Sequence, residues 1–182
     1  MKKPIFLLTR TTYAAAFILL MFILNLSCEQ QVDKGITAEE AKALVEKDQK
    51  IWNEGDMAMV DEIIASDYVE HSADIPNDDI AGIDAFKERV TNLRVIFPNF
   101  NVTVEELIVK DDKIIWRWIV TGTNTGTTND TPPTGKMMRI EGIGILHIVD
   151  GKIVERLMYY NQAAQLMQLG YTISPPTIEV EE

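Results

Sequence analysis

The feature that most constrains this chain is a change of hydrophobic period at Pro98. Before it, apolar residues recur at the three- and four-residue spacing of helices; after it come long runs rich in β-branched residues. Thr37 and Glu40 have the spacing of a capping box, and Ala41, Leu44, Val45, Ile51 and Trp52 follow on one stripe. Asp48 falls on that same stripe. Gly55 ends the helix, and Asp56 can cap a second one through Val60, Ile63 and Ile64. A third helix carries Ile83, Phe86, Val90, Leu93, Ile96 and Phe97 on one side and stops at Pro98.

Beyond Pro98, Val102 to Val109 reads as extended. Ile114 to Thr121 reads as a strand with Trp116 and Trp118 on one face and Arg117 on the other. Residues 124–136 hold Gly, Thr, Asn and Pro without a period, as a loop does. Met137 to Val149 and Lys152 to Tyr160 flank Asp150-Gly151, a strong hairpin signal. Gly142 and Gly144 inside a strand suggest a bend or bulge. Three helices followed by a meander of strands give an α+β fold, its helices covering one face of a curved antiparallel sheet.

The start of the chain has a different character. Lys2, Lys3 and Arg10 precede an apolar run from Ala14 to Leu24. That run is shorter than the roughly 20 residues a spanning helix needs, and residues 1–27 read as an export signal rather than an uncleaved anchor. Cys28, the one cysteine, follows directly. The sequence divides into this signal, a tether over 28–36, a domain over 37–173 and an acidic, fraying tail over 174–182. Without the three basic residues of the signal, 14 basic and 28 acidic residues remain, a net charge of −14. Such a surface repels nucleic acid and anionic headgroups, so neither is expected as a partner.

No metal site is expected. The two histidines, His71 and His147, belong to no HExxH or Cys/His cluster. No phosphate loop, dinucleotide fingerprint or GxSxG elbow occurs. A bent sheet covered by helices does leave a mostly apolar cavity, suited to a small apolar molecule. His147, among Ile143, Ile145 and Val149, is a packed residue or a pocket residue. His71 is a loop histidine or a site residue. Arg117 is an edge charge or the partner of a buried acid, and Asp48 is a pocket acid or a rim residue.

Several segments carry a resemblance. Trp52-Asn53-Glu54-Gly55-Asp56, Tyr68-Val69-Glu70-His71 and Phe97-Pro98-Asn99-Phe100 are followed by Arg117-Trp118 and Thr121-Gly122-Thr123. Pro132-Pro133-Thr134-Gly135-Lys136, Asp150-Gly151-Lys152-Ile153-Val154-Glu155 and Gln168-Leu169-Gly170 complete the set. In this order the chain resembles the SnoaL-like polyketide cyclases, or ester cyclases, of the nuclear-transport-factor-2-like superfamily. The resemblance implies a cone of α+β type and an intramolecular aldol ring closure that uses no metal and no cofactor. A homodimer is implied by family habit alone. Leu24-Asn25-Leu26-Ser27-Cys28 separately resembles the lipobox of bacterial lipoproteins, which implies a lipid on Cys28 and a membrane-anchored, exported protein of the cell envelope.

The cyclase resemblance implies an acid/base aspartate seven residues before Gln-Leu-Gly, and supporting histidines. His71 and His147 match two of these. The aspartate position is Asn161, and a further histidine position after Gly-Thr is Asn124. An amide cannot exchange a proton near neutral pH, so the base role falls to His147, His71 or Asp48, with Asn161 as a hydrogen-bonding residue. Arg117, Trp116, Trp118, Tyr159 and Asp48 are the expected substrate contacts, in a cavity lined by His147, Asn161 and Arg117, with Trp116 or Trp118 on the opposite sheet face. If the chain is not catalytic, the same cavity serves a lipoprotein that binds a small molecule.

The hairpin register bears on this geometry. A two-residue turn at Asp150-Gly151 puts His147 on the face of Val154 and Arg156. A three-residue loop with a glycine bulge puts it with Ile153, Leu157, Tyr159 and Asn161, the arrangement that the resemblance favours.

Overall fold

The computed structural model describes residues 35–72, 79–127, 132–172 and 174. The signal, Cys28, most of the tether and nearly all of the tail lie outside the described residues. Among those described, the chain forms α1 (Ala38–Glu54), α2 (Met57–Ile63), β1 (Ile64–Ser72), β2 (Ile80–Ala81) and α3 (Ile83–Ile96). There follow β3 (Asn101–Lys110), β4 (Lys113–Thr123), β5 (Met137–Val149), β6 (Lys152–Tyr160) and α4 (Gln162–Leu169). The strands make one sheet in the order β2-β1-β6-β5-β4-β3, in which β1 and β6 run parallel and every other pair is antiparallel.

Local chemistry sets the helix ends. The capping box of α1 is complete: Glu40 N–H donates to Thr37 Oγ1, and Thr37 N–H donates to Glu40. At its other end Gly55 takes the left-handed conformation (φ 76°). Asp56 Oδ1 accepts from the Ala58 and Met59 amides and starts α2. The second helix stops at Ile63, and Ile64 is already in β1, so the expectation that it extends through Ile64 is corrected. Three elements go unsignalled by the sequence pattern: β1, the short β2 and α4.

Alternation along the strands decides what reaches the core. On β4, Ile114, Trp116, Trp118 and Val120 face the helices, as do Met138, Ile140 and Leu146 on β5. Trp52 meets Phe86 edge-on at 5.4 Å and Phe86 meets Tyr68 at 5.1 Å, tying α1, α3 and β1 together.

The hairpin combines the two registers considered above. Asp150 (φ 50°) and Gly151 (φ 75°) form a two-residue turn, with Val149 opposite Lys152. The register then slips: Ile148 pairs with Ile153 but His147 pairs with Glu155, leaving Val154 as the extra residue of a bulge. The bulge flips the rest of β6. Ile153 faces the core before it, and Arg156, opposite Leu146, faces the core after it. His147 shares the outer face with Glu155, Leu157 and Tyr159.

Amide side chains pin the elements together. Asn53 Nδ2 donates to the Val102 carbonyl and its Oδ1 accepts from the Val102 amide, fixing α1 against β3. Asn99 makes a similar pair of bonds to Thr123, and Gln168 to the backbone of Arg139. Asn124, where the resemblance expects a histidine, accepts from the Thr134 amide and exchanges backbone bonds with Gly135 and Lys136. It is a loop clasp rather than a cavity residue.

Candidate active site

A cavity of about 100 Å³ lies between the helices and the inner face of the sheet. Its walls are apolar: Trp52, Leu93, Phe100, Trp116, Trp118 and Ile140 among others. Four charged side chains enter it from four elements: Asp48 from α1, Glu70 from β1, Arg89 from α3 and Arg156 from β6.

Arg156 is 1% exposed. Its Nη2 donates to Asp48 Oδ1 at 2.5 Å, and its guanidinium lies 5.3–5.8 Å from the rings of Phe86, Trp52 and Trp116. Glu70 is equally enclosed. It accepts from the Tyr68 hydroxyl at 2.8 Å and pairs with Arg89 at 3.3 Å. Ions this deep persist only when paired, and the two pairs satisfy that condition.

The electrostatics are unequal. Burial pushes the Asp48 carboxyl above the ordinary aspartate range, and Arg156 opposes that push; the nearby charge of Glu70 adds to it. Burial would weaken the guanidinium of Arg156, but the negative groups around it, Asp48 first, hold its proton more firmly than usual. Two buried donors of this network find no acceptor among the described residues: Arg156 Nε and Trp118 Nε1. Both side chains line the cavity. Unpaired buried donors are costly, on the order of 1–3 kcal/mol each, so they mark a place for an acceptor atom.

The expected site residues fall into two groups. Asp48, Trp116 and Trp118 line the cavity. His147, His71, Arg117 and Tyr159 do not, which corrects the expected lining: the cavity lies on the tryptophan face of the sheet and not on the Arg117 face. Strand parity sends them to the outer face: Arg117 between two inward tryptophans, Tyr159 opposite Ile143, and His147 opposite Glu155. There His147 Nε2 lies 2.5 Å from Asp112, and His71 bonds Asp79 at 2.9 Å, each with Glu155 further off. Pairing with Asp79 raises the His71 pKa, with burial opposing it and Glu155 adding to it. Arg117 lies among Glu105, Glu106 and Glu141. Among the described residues, no three such side chains converge as metal ligands would.

Asn161 also lies outside the cavity. It is exposed and caps α4, its Oδ1 accepting from the Ala164 amide at 2.9 Å. The residues that sequence reasoning passed over are Arg156, Glu70, Tyr68 and Arg89. The one available signal was the charge of Arg156 inside an otherwise strand-like run.

A model of the SnoaL-like polyketide cyclase family matches residues 42–169, well over half of the chain. The chain belongs to this family. Solved structures agree on the fold. TsrD from Streptomyces laurentii is 22% identical, covers 74% of this chain and 98% of its own, and superposes with a TM-score of 0.66. AclR from Streptomyces galilaeus, a candidate hydroxylase, is 26% identical, with 77% and 87% covered and a TM-score of 0.64. A candidate polyketide cyclase from Bacillus cereus is 27% identical, with 75% and 91% covered and a TM-score of 0.61. No curated protein sequence matches significantly. This SnoaL-like domain thus has the cone architecture of its neighbours, with an acid, a guanidinium and an indole at the heart of its cavity.

Proposed function

We propose that this SnoaL-like protein carries out acid–base chemistry beside a carbonyl group, with Asp48 as the base. The observation that carries this reading is one buried carboxyl of raised pKa in the same cavity as two unpaired donors. In the step proposed, Asp48 takes a proton from the carbon next to the carbonyl. The C–H electron pair becomes the new C=C bond, and the carbonyl π pair moves onto oxygen. Arg156 Nε–H and Trp118 Nε1–H then donate to that oxygen, as preorganised donors do in an oxyanion hole. In an aldol closure the enolate carbon attacks a second carbonyl of the same molecule, and the proton returns to the new alkoxide. A carboxyl pKa lifted toward the working pH suits this role.

The test is deuterium exchange at the α carbon of a small cyclic ketone, followed by NMR. The protein should accelerate exchange, and Asp48→Asn should lose roughly 10²- to 10⁴-fold of that acceleration. Equal acceleration by both proteins would remove Asp48 from the mechanism. A non-catalytic binding module is favoured by two observations: Asp48 is already held by Arg156, and the residue at 161 is a helix cap. Ligand binding with exchange at the background rate would establish that reading.

We further propose that the protein is exported and held at a membrane by a lipid on Cys28, supported by the signal-like residues 1–27 and the lone cysteine after them. Cells fed a palmitate analogue should label the wild type and not Cys28→Ser; equal labelling refutes it.

A further inference from the structure

We infer that Arg89 is a specificity-determining residue that holds a carboxylate on the ligand, so that the cavity takes a keto acid in preference to its ester. The inference deepens the reading of the cavity as a carbonyl site and rests on it, but on no proton transfer there.

The two arginines of α3 are employed differently. Arg94 Nη1 donates to the carbonyls of Trp52 and Asn53 at 2.9 and 2.6 Å and ties α3 to the end of α1. Arg89 lines the cavity instead, with Leu93 one turn further along the same helix. Among the described residues, its guanidinium has one partner, Glu70, 3.3 Å from Nη2. Glu70 cannot occupy the rest of that group, because its other oxygen accepts from the Tyr68 hydroxyl at 2.8 Å. A guanidinium carries five N–H donors in a planar fork that matches the two oxygens of a carboxylate. The protein leaves most of those of Arg89 to water or to a ligand.

The arrangement also sets a direction. Glu70 lies opposite Arg156 in the β1–β6 ladder, and Arg89 lies on the far side of Glu70. Exposure rises along that line: Arg156 and Glu70 are enclosed, whereas the Arg89 side chain is 37% exposed. A ligand carbonyl therefore belongs at the buried unpaired donors, Arg156 Nε and Trp118 Nε1. A ligand carboxylate belongs at Arg89, where it keeps part of its hydration and desolvation costs least. Turned around, the carboxylate would compete with Asp48 for Arg156, and two carboxylates sharing one buried site repel. The acidic surface of the domain repels anions in general, so a preference for an acid has to come from a local cation.

Trp52, Trp116 and Trp118 all line the cavity, so their indole N–H resonances report an occupant. The experiment titrates the full-length protein at neutral pH with levulinate and with methyl levulinate, which differ in the charge alone at the end remote from the ketone. Levulinate should bind at least about tenfold more tightly, the scale of a hydrogen bond to a charged group. Arg89→Met should bring the two affinities together. The ester is the internal control, since structural damage weakens both ligands and leaves their ratio unchanged. Arg89→Lys keeps a cation beside Glu70 but lacks the fork, and should give an intermediate ratio. Exchange on a cyclic ketone without a carboxylate tests Asp48 separately, and background exchange there leaves the acid-to-ester ratio standing. Equal binding of acid and ester by the wild type, a ratio unchanged in both variants, or no saturable shift with either ligand overturns the inference.

Discussion

Arg156→Met isolates the energetics of the cavity. Methionine keeps the length of the arginine stem and removes the charge. Asp48, 5% exposed, then loses its cation, while Glu70 keeps Arg89 at 3.3 Å. Removing one partner of a buried ion pair costs about 3–5 kcal/mol. For a domain of this size, 1 kcal/mol moves the melting temperature by about 2–4 °C, so a fall of roughly 6–20 °C is expected at neutral pH. The deficit should depend on pH, with a definite sign. The folded-state pKa of Asp48 is already raised and should climb further without Arg156. A carboxyl raised in this way favours folding below its unfolded pKa, about 3.9, and loses that contribution as pH rises through the folded value. The deficit of Arg156→Met should therefore be smallest near pH 4 and grow toward pH 7.5. Urea unfolding at both pH values measures it. Adding Asp48→Leu should recover much of the loss, because an apolar pair replaces an orphaned charge. Equal deficits at the two pH values, or a double variant as unstable as the summed singles, would refute the reasoning.

Other outcomes follow from the same geometry. Asn161→Asp should leave the melting temperature within about 2 °C of wild type and create no new exchange activity, since an aspartate caps α4 as well as asparagine does and the site is exposed; a melt and the ketone exchange assay check both. By NMR titration, His71 should titrate above the ordinary histidine value because Asp79 holds its proton, and Asp79→Asn should bring it down. The raised value contributes stability that is full below the unfolded pKa and lost as pH rises through the folded one. Asp56→Ala removes the acceptor for two amides at the start of α2 and should cost about 1 kcal/mol, measured by urea unfolding.

Much of the fold was legible because it rests on local rules. The capping box, Gly55, Asp56 and Pro98 act through backbone geometry within a few residues, and the α1 stripe and β4 alternation need no distant partner. The strand β1 was hidden because its inward positions include Glu70, which breaks the apolar pattern, and α4 because eight residues with three glutamines give a weak period. The family motifs were legible too, but several of their polar residues hold the fold. Asn53, Asn99 and Gln168 clasp backbone groups, which motif matching alone cannot tell from a catalytic role.

The site depended on what lies between elements. The sequence by itself placed Asp48 on a buried helix stripe and Trp116 and Trp118 on one strand face, because helix and strand periods are intrinsic to the chain. It could not place Arg156 relative to the core. That choice turns on parity, and a single extra residue, Val154, reverses parity along the rest of β6. Only the packed sheet fixes where the bulge falls, since it must bring Arg156 onto Asp48, 108 positions away in sequence, and leave the histidines outside.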